Sequence, residues 1–149
     1  SEWFCHRIQV TDKYAFVPHG VKGVLVIDIA NPSSPTIAGA LPVKKLEGGA
    51  KFFLGENLGV DQWTRGAMVA LNLVENMLYV NDYWDNIYAL DVADLAHAKI
   101  RDKADAYYGW KMAIEGDRLY RARLDGLTVY TIPRPAEAPL GAVSTRARQ

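Results

Sequence analysis

Residues 16–29, FVPHGVKGVLVIDI, and residues 79–92, YVNDYWDNIYALDV, align without a gap at an offset of 63. Phe16 meets Tyr79, Val17 meets Val80, and Asp28 meets Asp91. A third copy, YRARLDGLTVYTI at residues 120–132, has one residue fewer in its turn and Thr131 in place of the aspartate. A chain that repeats in this way must build one supersecondary unit several times over, so self-similarity constrains the fold more tightly than any other feature here.

Each copy is preceded by a second pair of elements: HRIQVTDKYA, VALNLVENMLY and GWKMAIEGDRLY. In each, alternating residues lead into a polar turn and then an aromatic strand start, which is antiparallel strand chemistry. The first copy continues ANPSSPTIAGALP and the second ADLAHAKIRDKAD. Both read as a turn followed by an outer strand, and the prolines suit an edge, where a missing N–H costs little. One unit is therefore four antiparallel strands in about 40 residues, the size of a β-propeller blade. The step from second to third copy is 41 residues and from first to second 63, so an insertion of about 22 residues falls within 43–66. No stretch has a helical apolar period. The expected class is all-β: a single partial β-propeller over 1–149, with blades near 6–42, 67–105 and 107–149 and the insertion at 43–66.

The stretch GVLVIDIANPSSPTIAG resembles the LVIVD repeat of bacterial β-propellers, whose signature is a Gly-Leu-x-Val-Ile-Asp-Ile-Ser-Asn-Pro run. The match is close in the first copy and weaker in IYALDVADLAHAKI; GLTVYTIPRP keeps the glycine, the apolar alternation and a proline. The resemblance implies a propeller fold and an extracytoplasmic location. It implies little about activity, because propellers host many unrelated functions.

Propellers have typically four to eight blades, and three would leave two apolar faces uncovered. Another chain, further copies of this one, or the remainder of a larger precursor is expected to complete the ring. The opening on Ser1 without methionine and the unpatterned end STRARQ read as the C-terminal piece of a processed precursor or as a partner subunit. Seventeen basic and seventeen acidic residues cancel, which argues against a broad electrostatic grip on nucleic acid or an anionic membrane. The longest apolar runs are strand-sized, too short to span a membrane as a helix. Cys5 stands alone, so no internal disulfide forms.

With strands labelled a to d outward from the channel, the strand-a starts and the b–c turns share one end of the blades. There the sequence concentrates polar and aromatic residues: PHGVKG, NDYWDN and ARLDG in the turns, FCHR, TRGAM and YYGWK at the strand starts. The opposite end carries plain turn residues. The gapless offset puts His19, Asp82 and Arg123 at one position on three blades, with His6 near His19. The candidate catalytic groups are His6 and His19, as acid–base groups or as ligands of a divalent metal whose remaining ligands a partner chain supplies. Arg65, Asp82, Tyr83, Trp84, Asp85 and Arg123 are the candidate ligand contacts. Each has a structural alternative: histidines that bond neighbouring loops, aspartates that cap turns, and Trp63, Trp84 and Trp110 as inter-blade packing. Asp28 and Asp91 belong to the repeat and are expected to bond turn amides.

Two functions follow. The first is a subunit or C-terminal segment of a propeller enzyme, a hydrolase or lyase, acting on a small polar or sugar-like ligand at the channel mouth. The alternative is a non-catalytic propeller that binds a partner protein or glycan through the same face. No nucleophile elbow, Cys-x-x-Cys, His-Glu-x-x-His or P-loop is present.

Overall fold

Apolar residues alternate with a period of two through every repeat, so each repeat buries its side chains only by forming pleated sheet. The computed structural model describes residues 7–19, 23–43, 53–54, 68–82, 86–106, 109–123 and 125–132. The first sheet runs β1 (Gln9–Val10), β2 (Tyr14–Pro18), β3 (Val24–Asp28), β4 (Thr36–Leu41) and β5 (Phe53–Leu54). The second runs β6 (Met68–Val74), β7 (Met77–Asp82), β8 (Asn86–Asp91) and β9 (Lys99–Asp105). In the third, β10 (Gly109–Glu115), β11 (Arg118–Arg123) and β12 (Gly126–Thr131) are described. Strand order follows chain order in each sheet, and every pairing is antiparallel. The fold is all-β, a propeller segment whose three sheets do not close a ring.

The ladders repeat as faithfully as the sequence does. Phe16 faces Val26 in the first sheet and Tyr79 faces Ala89 in the second, both members displaced by 63. Tyr120 faces Val129 in the third. A β-bulge follows Val26 in the β3–β4 ladder and Ala89 in the β8–β9 ladder, again 63 residues apart. A second bulge, between Met68 and Ala70, recurs between Gly109 and Lys111. Bulges bend and twist a strand, so their recurrence gives successive sheets the same curvature.

The turns hold these ladders in the same way. Asp28 Oδ1 accepts from the Ala30 N–H at 2.9 Å, and Asp91 Oδ1 from the Ala93 N–H at 3.1 Å. These aspartates cap turns, as the repeat implies. Gly23 enters β3 with φ of 86°, and a Cβ there would fall on the Leu41 carbonyl oxygen and stand 3.0 Å from the Val43 amide. Only glycine fits at that approach.

Two apolar layers join the sheets. Phe16, Val24, Val26 and Leu41 of the first sheet meet Leu71, Leu78, Val80, Tyr88 and Leu90 of the second. Tyr79, Ile87 and Ala89 on the other side of the second sheet meet Met112, Leu119 and Tyr130 of the third. Burial, and then Asp102, push the Tyr79 hydroxyl up to about 12.

Part of the insertion is described as strand. Phe53–Leu54 pairs with Ala40 and Gly39 of β4 and so extends the outer edge of the first sheet. A bare edge attracts further pairing, and this short strand occupies it. Residues 44–52 and 55–66 of the insertion lie outside the described residues.

Candidate functional site

The site expected from the repeat lies where β2, β7 and β11 end. Asp82 and Arg123 are the last residues of β7 and β11, and they hold corresponding places, opposite Met68 and Gly109. His19 follows β2 directly, and its N–H donates to the Gly23 carbonyl at 2.8 Å, closing the β2–β3 connection. The register thus sets an imidazole, a carboxylate and a guanidinium on three matching strand ends. His6, Arg65, Tyr83, Trp84 and Asp85 lie outside the described residues, as do Trp63 and the side chain of Trp110.

The three strand ends differ in environment. His19 is half-buried, and among the described residues its Nδ1 is buried without a hydrogen-bond partner. Asp82 is 0% exposed, so the open carboxylate expected of a ligand contact is absent there. Arg123 is half-buried and turns back on its own hairpin: Nη2 donates to Asp125 Oδ2 at 3.1 Å. Its Nε stands 3.0 Å from Asp125 Oδ1 as an ion-pair contact, without the alignment of a hydrogen bond. Asp125 is exposed and draws part of the guanidinium charge.

Between Asp82 and Arg123 the structure adds a group that repeat reasoning passed over. Arg121 of β11 is 0% exposed, the largest fully buried side chain among the described residues. Its Nε donates to Asn81 Oδ1 at 2.6 Å, and its Nη2 reaches the Asp82 carbonyl at 3.4 Å. Asn81 Nδ2 in turn donates to the Gly109 carbonyl at 2.6 Å. Three strands, β7, β10 and β11, are tied by one guanidinium and one amide. Burial lowers the Arg121 pKa from its ordinary value, while Tyr130 and Asp82 act to keep the charge and Arg123 opposes it. Gly109 makes room: a Cβ there would stand 2.5 Å from Arg121 Cζ.

The repeat shows how unusual this clamp is. Arg121 occupies the position of Val17 and Val80, and Asn81 that of Pro18 and Ala122. Where the first and second sheets meet, the corresponding residues are apolar; between the second and third they are an arginine and an asparagine. The signal was present in YRAR, a charge on the buried alternation of a strand. It pointed to the sheet interface, not to the surface.

Among the described residues, no three His, Cys, Asp or Glu side chains gather to hold a metal ion. His97 is exposed and pairs with Asp94 at 2.7 Å. A cleft of about 590 Å³ opens at the other end of the blades, between the first two sheets, lined by Tyr14, Phe16, Leu73, Val92 and Leu95. No helix among the described residues is long and apolar enough to cross a membrane.

Comparison with known families bears on the first sheet, whose strands β1 to β4 fill the segment that matches. Residues 5–41 match the LVIVD repeat. The second and third sheets repeat the antiparallel order and much of the register of the first, and the match to the LVIVD repeat is confined to the first. No curated protein matches the chain.

Proposed function

We propose that this chain is a non-catalytic LVIVD propeller segment that binds a glycan on the face formed by the ends of β2, β7 and β11. The observation that carries the reading is the pair His19 and Arg123, both half-buried at one repeat position, beside a polar network that fixes Arg121. A network whose donors and acceptors are spent on one another makes a rigid floor rather than a reacting group. Residues 83–85, Tyr-Trp-Asp, follow β7 directly, and aromatic faces beside carboxylates suit stacking on and hydrogen bonding to sugar rings. Arg65 and Arg123 would favour acidic sugars.

The test is a glycan array probed with the protein and its Arg123→Ala and Trp84→Ala variants. Binding of one glycan class, lost in the variants and without turnover of the bound glycan, supports the proposal. Absence of binding contradicts it. A second reading, a hydrolase or lyase with His19 and His6 as acid–base groups, draws on the buried, unpartnered Nδ1 of His19. Turnover of a bound glycan that falls in His19→Ala while binding persists would favour that reading instead.

A further inference from the structure

The first sheet has an apolar row whose two ends are exposed among the described residues, with Ala15 between them 4% exposed. Val10 faces Ala15, Ala15 faces Ile27, and Ile27 faces Ile37, one row across four strands. Val10 is 58% exposed and Ile37 43%, with Ile8 beside them at 53%. Displaced by 63 residues, the same row is Leu73, Leu78, Leu90 and Ile100 of the second sheet. There it packs against the first sheet. Its third form, Ile114, Leu119 and Tyr130, packs against the second sheet. The row is thus a docking face used twice within the chain and, in the first sheet, exposed at its ends among the described residues.

The complementary face also occurs three times. Phe16 and Val26 present it to the second sheet, and Tyr79 and Ala89 to the third. In the third sheet Tyr120 and Val129 form the same pair, with Leu127 nearby at 51% exposure. The first and third described sheets therefore carry the two halves of a contact that the described residues already make twice.

We propose that a second copy of this chain covers the open row, the third sheet of each molecule packing on the first sheet of the other. Such a contact is head to tail and closes only if the rotation completes a ring. Two copies give six sheets, within the usual four to eight blades of a propeller, and three copies give nine, beyond it. The closed assembly is therefore a dimer. This proposal stands apart from the glycan reading and holds or fails without it.

Sedimentation velocity and light scattering on the chain, with Ile37→Asp and Leu127→Asp variants, test it. The unmodified chain should have twice the 16.6 kDa chain mass. Each variant should keep its far-UV β signal and weaken dimerisation by about 100-fold. Mixing the two variants should restore dimers, because one of the two contacts then joins two unmodified faces. A monomeric unmodified chain, an assembly larger than two, or a dimer indifferent to both substitutions would overturn the proposal. If one variant unfolds, Val10→Asp replaces Ile37→Asp, and Val129→Asp replaces Leu127→Asp.

Discussion

Arg121 shows where reading single positions succeeds and where it stops. The places of His19, Asp82 and Arg123 were legible because a gapless offset carries register with it, and register fixes strand ends. Arg121 was not, because the alternation that marks a strand says which residues are buried but not which sheet they meet. The clamp predicts a coupling. Gly109→Ala should cost about 2 kcal/mol, since a methyl group would displace a guanidinium that packing holds in place. Arg121→Val should cost about 2 kcal/mol by leaving the Asn81 carbonyl without its donor. Together the two should cost far less than their sum, because removing Arg121 empties the space the methyl needs. Urea unfolding of both single variants and the double variant measures this. Additive losses would show that Gly109 and Arg121 do not touch.

At the scale of elements, the turn aspartates do what the repeat implies, and Asp91 does more. Its carboxylate also accepts from Arg101 at 2.6 and 3.0 Å. Arg101 first, and then the Ala93 N–H, hold Asp91 below the ordinary carboxylate value of 3.8. A folded-state value depressed in this way means stability that is full above the unfolded value and is lost as pH falls through the folded one. Asp91→Asn should therefore lower stability near neutrality and show a shallower further loss between about pH 5 and pH 2. The effect is modest, since both partners reach solvent. Urea midpoints taken along that pH range decide it; parallel acid slopes in the two proteins would contradict it. Thr131 stands at the same place in the third sheet, where no such carboxylate exists. The strands were legible from alternation and turn residues. The bulges and the pairing of Phe53–Leu54 were not, since each depends on a ladder partner far along the chain.

Across the whole molecule, three sheets share one repeat register, and everything placed at the strand ends follows from it. The open faces were anticipated because three blades are too few for a ring. Which residues form them required the ladders, since a row across four strands draws on residues far apart in sequence. Cross-strand nuclear Overhauser contacts in isotopically labelled protein test the shared register directly. The account predicts contacts between Phe16 and Val26, Tyr79 and Ala89, and Tyr120 and Val129, with one residue skipped at Ala38 and at Arg101. A pairing displaced by one residue in any sheet would contradict it, because that slip turns every side chain over and separates His19, Asp82 and Arg123.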